Sequence, residues 1–174
     1  MTLFSVQRCK PPAHALHLRY VAQGAYLDCY TTVVRGAVSL VQFVEAFYTT
    51  LLFKLERLIL FLLLKPSTDS DARRLAHGES NAFAAWTVEA RTEDQLLMRD
   101  FLGRTRSWFM IALEDWDGDI VTRLYFGSVV VASVNKRTGK RELGLPALAS
   151  LPIHKLYSRV LLGAARMRIK RAKL

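Results

Sequence analysis

The sequence predicts an α+β domain built from an antiparallel sheet and a long C-terminal helix. Three patterns support this prediction. Apolar residues recur at helical spacing over 39–64, strand-forming segments separated by turn residues fill 83–131, and a second amphipathic helix follows at 153–167. With an early strand at 26–34, the predicted order is strand, two helices, antiparallel meander and final helix.

The composition fits one globular domain with a sizeable core. The chain has 174 residues, of which 51% are hydrophobic and 23% charged. Its 25 basic and 15 acidic side chains give a net charge of +10. The excess is local, because residues 1–135 hold 14 of each sign while 136–174 hold 11 basic residues and one acid. This basic portion can meet an anionic membrane surface or nucleic acid, or simply be solvated.

The N-terminal segment and the two cysteines suggest a reducing compartment. No continuous apolar stretch precedes Pro11-Pro12, so no secretory signal is visible. Cys9 and Cys29 lack metal-ligand spacing and are interpreted as free thiols. We therefore predict a cytoplasmic protein with an N-terminal extension over residues 1–19.

A pair of helices is predicted at 39–49 and 51–64, with Ser39 as the N-cap and Pro66 after the end. The second helix contains the apolar run 58–64, bracketed by charged residues. A bilayer span needs about 20 apolar residues, so this run is too short to cross a membrane. Because it is apolar almost all round, we expect the sheet and the C-terminal helix to cover it.

Two turns predict the register of the central strands. A two-residue turn at Asp117-Gly118 pairs Phe109 with Phe126 and Ser107 with Ser128. A two-residue loop at Gly103-Arg104 pairs Asp100 with Ser107 and Met98 with Phe109. Both turns give the same inner face, which a three-residue loop extends onto the preceding strand. The predicted inner face comprises Trp86, Val88, Ala90, Leu96, Met98, Phe109, Ile111, Leu113, Leu124 and Phe126.

A polar row at one end of this apolar face is the candidate site. Asp100 lies there beside serines, and two interpretations remain open. It is either a hydrated rim residue bonded to Ser107 or a polar anchor inside an apolar pocket. We predict no catalytic residue, metal ligand or cofactor. The predicted ligand-binding residues are Trp86, Asp100, Ser107, Phe109, Phe126 and Ser128.

The opposite face of the sheet is mixed in character. It carries Arg99, Met110, Arg123 and Tyr125, with Trp108 expected to lie across Gly127. Such a face is either solvated, with long side chains lying flat, or part of a homodimer contact.

The C-terminal helix is predicted to stop packing near Met167, leaving a basic tail at 168–174. The cluster is interpreted either as a solvated helix end or as a peripheral membrane contact, and we do not expect nucleic acid as the partner. The membrane contact would use Arg166, Arg168, Lys170, Arg171 and Lys173. The predicted packing stripe is Ile153, Leu156, Tyr157, Val160, Leu161, Ala164 and Met167.

Several short motifs suggest a metal, phosphate or catalytic site but lack residues that such a site requires. "DWDGDI" would need glycine at 120 and glutamate at 126 to be a calcium loop, but Ile120 and Phe126 stand there. "TGKRELG" lacks the glycine spacing of a phosphate-binding loop. The four histidines have no identifiable partners, so neither a metal site nor a nucleophilic triad is predicted.

The stretches "AYLDCYTTVV", "VEAFYTTLLFKLERLIL", "AFAAWTVEARTEDQLLMRDFLGRTRSWFMI" and "TRLYFGSVV" resemble an uncharacterised bacterial family of the START-like superfamily. These are the SRPBCC, helix-grip or polyketide-cyclase-type proteins. The resemblance covers 20–165 and implies a curved sheet gripping the C-terminal helix over a cavity for hydrophobic ligands. It brings no catalytic motif. Only five strands are clear, so two more lie within 14–24 and 66–82 or the sheet is smaller.

Three functions follow from these observations. The leading one is non-catalytic binding of a small hydrophobic ligand in a helix-grip domain over 20–167, gated by the helix pair, in a cavity above about 200 Å³. The second is a cyclase- or dehydratase-type enzyme using Asp100. The third is an interaction protein that acts through its basic C-terminal helix or a dimer face.

Overall fold

The computed structural model describes residues 5–62, 65–134, 141–142 and 145–172, and it confirms the α+β class. The main sheet is antiparallel, with strand order β1-β2-β7-β6-β5-β4-β3, and a separate small pair is formed by β8 and β9. The strands are β1 Gln7–Arg8, β2 Tyr26–Arg35, β3 Ala82–Phe83, β4 Trp86–Arg91, β5 Gln95–Asp100, β6 Thr105–Trp116, β7 Asp119–Val130, β8 Ser133–Val134 and β9 Arg141–Glu142. The helices are α1 Leu40–Tyr48, α2 Leu51–Leu62, α3 Asp69–Ala76 and α4 Leu145–Ala172.

The helix pair begins where the sequence predicts. The Ser39 hydroxyl accepts from the Gln42 N–H at 3.2 Å, and the Gln42 side chain accepts from the Ser39 N–H at 2.9 Å. This reciprocal capping box satisfies two backbone donors that the first helical turn leaves free. Of the predicted second helix, residues 63–64 lie outside the described part of the chain.

The core lies between the inner face of the sheet and the helices. Phe47 is its centre, with ring centroids 4.8 Å from Phe109 at an edge-to-face angle and 4.7 Å from Phe126. Phe43 and Leu162 are fully buried beside them. Such aromatic pairs add stabilisation beyond the apolar area that they bury.

The register of β6 with β7 is confirmed, but that of β5 with β6 is wrong by two residues. Met98 pairs with Ser107, so the connection is the four-residue segment 101–104. The Asp100 carboxylate stabilises this longer connection, because its Oδ1 accepts from the N–H groups of Arg104 and Thr105 at 2.7 and 2.9 Å. A shift of two leaves every side chain on its predicted face.

A β-bulge in β4 corrects a further assignment. Val88 pairs with Met98, and Ala90 then pairs with Leu97, so Glu89 is the extra residue. Trp86 and Val88 pack on the inner core as predicted, whereas Ala90 packs on the opposite face, where it was not expected.

The chain's own N-terminal segment packs on the opposite face around Trp108, an arrangement that neither the solvated nor the homodimer interpretation included. A 3₁₀ helix, Leu16–Gln23, lies on it, and the strand considered within 14–24 does not form. His17 stacks on Trp108 with centroids 4.1 Å apart. Trp108 does lie across Gly127 as predicted, because a Cβ on that glycine would be 2.9 Å from the indole. Within 66–82, the chain forms α3 and the first residue of β3.

Helix α4 packs on only part of the predicted stripe: Leu161 and Tyr157 pack on the core, and the side chain of Ile153 lies outside the described residues. Its buried residues in the described part are Ser158, Leu161, Leu162, Ala165 and Ile169. Leu156, Val160 and Met167 face outward instead. Because Ile169 is buried, packing continues past Met167, and the expected end there is wrong. Within the described residues, no helix is both long and apolar enough to cross a bilayer.

Candidate functional site

A cavity of about 210 Å³ lies between the sheet and the helices, and we call it the grip cavity. All three long structural units contribute to its walls: the helix pair, the strands β4, β6 and β7, and α4. Its lining residues are Phe47, Tyr48, Phe53, Glu56, Trp86, Thr105, Arg106, Ser107, Phe126, Tyr157, Ser158 and Leu161. Aromatic walls with a few polar groups are typical of small-molecule sites.

The carboxyl of Glu56 is the main ionisable group of this cavity. Glu56 follows Phe53 by three residues, so both side chains project from the inward side of α2. The Tyr157 hydroxyl of α4 donates a hydrogen bond to Glu56 Oε2. Burial raises the pKa of Glu56, and the hydrogen bond from Tyr157 only partly opposes that shift. Burial, reinforced by the Glu56 charge, also raises the pKa of Tyr157.

Tyr48 supplies a second polar group that is still available for a bond. The residue is 2% exposed, and its hydroxyl has no hydrogen-bond partner among the described residues. Its ring is fixed by Phe53 and Phe83, each with centroids 4.8 Å away. Burial raises its pKa, so the hydroxyl keeps its proton and can donate. A buried tyrosine hydroxyl normally has a partner, and Tyr48 is one of the residues that line the cavity.

Two serines connect the cavity wall to the layer beneath it. Ser158 of α4 lines the cavity, and its Oγ lies 3.4 Å from the Oγ of Ser128 on β7. The Ser128 backbone N–H donates to the Asp28 carboxylate at 2.9 Å. This chain of contacts ties α4 to the sheet at the level of the cavity.

The structure brings three of the six predicted site residues to the cavity, namely Trp86, Ser107 and Phe126. Phe109 lies beneath them in the aromatic core, with its centroid 5.2 Å from that of Phe126. Ser128 is buried and reaches the cavity only through Ser158. Asp100 lies beside Trp86 in the sheet, but its carboxylate holds the turn after β5 and does not line the cavity.

The polar residues that the helices provide are not among the predicted site residues. In the sequence, Glu56 is a charge that bounds the apolar run, and Tyr157 is part of an apolar stripe. A usable signal was present, because Glu56 shares one helical face with Phe53, while Leu51, Leu55 and Leu58 occupy the other. Which face turns inward depends on tertiary packing, and the sequence pattern favours the leucines.

The surface above the cavity is unusually apolar, and we call it the outer helix face. Leu51 is 85% exposed, and the side chains of Leu55, Leu58 and Phe61 on the same helix are each more than half exposed. The outer helix face comprises Leu51, Leu55, Leu58 and Phe61 of α2 with Leu156, Val160 and Met167 of α4. A groove between the two helices is lined by Leu51, Met167, Arg168 and Arg171. Exposed apolar areas of this extent mark interaction sites.

Chemically, the grip cavity offers an apolar volume with one carboxyl, two tyrosine hydroxyls and serine hydroxyls. Among the described residues, no three His, Cys, Asp or Glu side chains are grouped closely enough to hold a metal ion. The raised pKa of Glu56 lets its carboxyl accept or donate a proton nearer neutral pH than an exposed glutamate would.

The topology is compatible with a helix-grip fold, since a helix pair follows the first long strand and α4 lies on the antiparallel sheet. Comparison with known protein families and with curated proteins gives no match. The function of the grip cavity is therefore argued from its geometry.

Proposed function

We propose that the chain binds a small, largely apolar molecule in the grip cavity without transforming it. The observation that carries this proposal is a cavity with aromatic walls that Tyr48, whose buried hydroxyl has no partner among the described residues, lines together with the Glu56–Tyr157 pair. Leaving a buried hydroxyl without a partner costs roughly 1–3 kcal/mol. A ligand that supplies the partner recovers that free energy, while the aromatic walls contact its apolar part.

The volume limits the size of the ligand. The cavity of about 210 Å³ lies at the lower limit expected from the sequence and below the ~300–1,000 Å³ of drug-sized pockets. An engineered apolar cavity of about 150 Å³ holds benzene. The ligand class is therefore a substituted single ring or a short chain with one or two hydrogen-bonding groups.

The polar groups predict which of two similar molecules is preferred. p-Cresol and toluene have similar size and shape, but only p-cresol carries a hydroxyl. The hydroxyl can accept from Tyr48 and donate to Glu56, whereas toluene leaves Tyr48 unpartnered. A site that is built to bond a hydroxyl discriminates strongly against the analogue that lacks it.

The test combines native mass spectrometry with a ligand pair. Freshly purified protein is expected to carry a co-purified small-molecule mass, and stripped protein is expected to bind p-cresol at least about tenfold more tightly than toluene by calorimetry. Absence of a bound mass together with no p-cresol binding at millimolar concentration would contradict the proposal.

A matched pair of variants localises the binding. Ser107→Leu places a larger side chain at the cavity wall, while Thr87→Leu makes the same kind of change at an exposed position of β4. We expect the first to abolish p-cresol binding and the second to leave it unchanged. Near-ultraviolet circular dichroism of both variants checks that the core is intact, and equal binding by the two would argue against this cavity.

A second candidate function, peripheral docking on an anionic membrane, is favoured by the outer helix face. The sequence of α4 contains no acidic residue, and Glu56, the one acid of α2, faces the cavity. Arg168 and Arg171 are exposed beside the apolar groove. Apolar side chains flanked by basic ones fit an interface of acyl chains and anionic headgroups. Of the predicted basic cluster, Arg166 instead donates to the Val33 carbonyl at 3.2 Å, and Lys173 lies outside the described residues.

Vesicle co-sedimentation tests this candidate. We expect the protein to bind vesicles that contain about 30% phosphatidylglycerol, because this anionic lipid attracts basic side chains to the membrane surface. Vesicles of pure phosphatidylcholine should not bind it. Arg168→Gln with Arg171→Gln should weaken binding about tenfold or more, at about 1 kcal/mol per basic residue. Leu55→Ser should also weaken it, whereas Leu113→Ser, at an exposed leucine of the β6–β7 hairpin, should not. Equal binding to both vesicles, or binding to duplex DNA alone, would overturn it.

A further inference from the structure

Cys9 and Cys29 form a thiol pair on the two N-terminal strands. The register of β1 on β2 pairs Arg8 with Tyr30, and the next residue, Cys9, donates its N–H to the Cys29 carbonyl at 3.0 Å. The two cysteines are therefore directly opposite each other. Their Sγ atoms lie 2.9 Å apart, closer than two sulfur atoms in simple van der Waals contact.

The backbone at this position already satisfies the geometry of a disulfide. Directly opposite residues in an antiparallel pair have Cα atoms about 4.5–5.5 Å apart. Disulfides span Cα separations of about 4.4–6.8 Å, so a bond between Cys9 and Cys29 requires no strand movement. The other common fates of a close cysteine pair need further ligands, and no metal-binding group is found among the described residues.

The two thiols differ in a way that assigns each a role. The hydrogen bond from Cys29 lowers the pKa of Cys9, opposed by burial and assisted by the Arg123 guanidinium. The same hydrogen bond, with burial, raises the pKa of Cys29. Both cysteines border an open groove that Arg8 and Lys10 also line, but Cys9 is half-buried and Cys29 is only 2% exposed. Cys9 is thus the more accessible and more acidic thiol, and Cys29 is its buried neighbour.

We propose that a hydroperoxide oxidises Cys9 and that Cys29 then closes an intramolecular disulfide, which joins β1 covalently to β2. In the first step the Cys9 thiolate attacks one peroxide oxygen; the S–O bond forms, the O–O bond breaks, and the leaving oxygen takes a proton to become water or an alcohol. In the second step the Cys29 sulfur attacks the Cys9 sulfur; the S–S bond forms, and the hydroxyl leaves with the Cys29 proton as water.

The disulfide fixes the segment that covers one face of the sheet. Residues 9–29 include the 3₁₀ helix over Trp108, and the bond closes them into a loop. Cross-linking a loop of this length restricts the unfolded chain and should raise the thermal midpoint by about 5–10 °C. A reductant such as a dithiol reverses the change, which makes the pair a reversible modification site.

The test treats reduced protein with equimolar hydrogen peroxide and follows intact mass, non-reducing peptide mapping and thermal unfolding. We expect a loss of two hydrogen atoms, a peptide cross-link between Cys9 and Cys29, and a raised midpoint that dithiothreitol reverses. Free thiols at a peroxide concentration that oxidises a reference dithiol peptide, or a product linked between two chains, would overturn the proposal.

Two isosteric variants separate the roles. In Cys29→Ser, Cys9 should still react and be trapped by dimedone as the sulfenic acid. In Cys9→Ser, Cys29 should react at least about tenfold more slowly, since thiolate character and access control the rate. Equal rates for the two variants would refute the assignment. Because wild-type protein supplies the main readout, the test does not depend on the folding of either variant.

Discussion

Both faces of the sheet are buried, but the side-chain contacts that cover them differ. On the inner face, the core of Phe47 and Phe109 stops short at the grip cavity, where a tyrosine hydroxyl has no partner among the described residues. On the back face, Gln95 accepts from the Trp108 indole at 2.9 Å and from the Leu16 N–H at 3.0 Å, and donates to the His14 carbonyl at 3.2 Å.

A second network closes the back face near its edge. Arg106 contacts the Glu89 carboxylate at 3.0 Å and stacks over the Tyr20 ring with its guanidinium 4.7 Å from the centroid. The Tyr20 hydroxyl donates to the same carboxylate. Glu89 follows the inward-facing Val88, so strand alternation points its side chain to the back face, and the bulge then places Ala90 on that face as well. Side-chain networks thus close most of the back face, although the His17 ring nitrogens have no partner among the described residues, while the inner face retains an open volume.

The largest expected effect tests how tightly the back face is packed. In Gly127→Ala, the new methyl group would lie 2.8 Å from the Asp28 carbonyl oxygen and 2.9 Å from the Trp108 ring. We expect a loss of about 3 kcal/mol or more in the free energy of unfolding, because a backbone oxygen cannot move aside. Urea unfolding measures it. Gly163→Ala is the control, since its nearest contact is Val6 at 3.7 Å, and it should be neutral or gain up to about 1 kcal/mol. A neutral Gly127→Ala would show that this face is loosely packed.

The next effect concerns the pH dependence that the back face contributes. Burial lowers the pKa of His17 to about 4, and neither ring nitrogen has a partner among the described residues. Between pH 6.5 and 4 the unfolded chain binds a proton that the folded one excludes, so stability falls as pH falls. The loss approaches roughly 3 kcal/mol at about 1.4 kcal/mol per pKa unit. His17→Phe keeps the stacking and should remove this slope in unfolding measured at pH 4, 5 and 7. An unchanged slope would contradict a buried, neutral His17.

On the inner face, Glu56 should make stability depend on pH with the opposite sign to that of His17. Because burial raises the pKa of Glu56, the folded state holds this proton to higher pH than the unfolded state does. Wild-type stability therefore falls as pH rises from about 4.3 through the raised pKa, and the loss persists above it. Glu56→Gln still accepts from Tyr157 but does not titrate, so it should be more stable than wild type at pH 7, by less than the His17 effect. Parallel curves for the two proteins between pH 4 and 7 would place Glu56 in water.

The smallest effect separates the turn from the cavity. Asp100→Asn keeps an oxygen acceptor for the Arg104 and Thr105 N–H groups but removes its charge. We expect a loss of about 0.5–1 kcal/mol in unfolding free energy. Binding of p-cresol should be unchanged, because Asp100 does not line the cavity. A large loss of binding with normal stability would restore Asp100 as a site residue.

Local chemistry explains which parts of the fold could be predicted. Ser39 caps its helix through its hydroxyl and its backbone N–H, which both bond to Gln42, and Asp117-Gly118 forms its turn with positive φ angles of 54° and 87°. Such features depend on neighbours in sequence, so they predict well. The predicted two-residue turn after Asp100 is wrong because the Asp100 side chain stabilises a four-residue loop. Residue spacing alone does not distinguish the two loop lengths.

The predictions that were wrong concern features that depend on contacts between distant elements. α2 turns Glu56 inward and Leu58 outward, against the usual expectation for a surface helix. α4 carries apolar residues on two sides, so its periodicity did not show which side meets the sheet. For the candidate site, the strands supplied predictable members such as Trp86 and Ser107, because the sheet face was right. The helices supplied Tyr48 and Tyr157, which only the packed structure identifies.

The covering of the back face also sets an order of events during synthesis. His17 docks on Trp108 and beneath Gly127, residues that the ribosome adds about 90–110 positions later, roughly 5–20 s at ordinary translation rates. Until β6 and β7 exist, the N-terminal segment has no surface on which to fold. This segment is therefore made well before the strands on which it comes to rest.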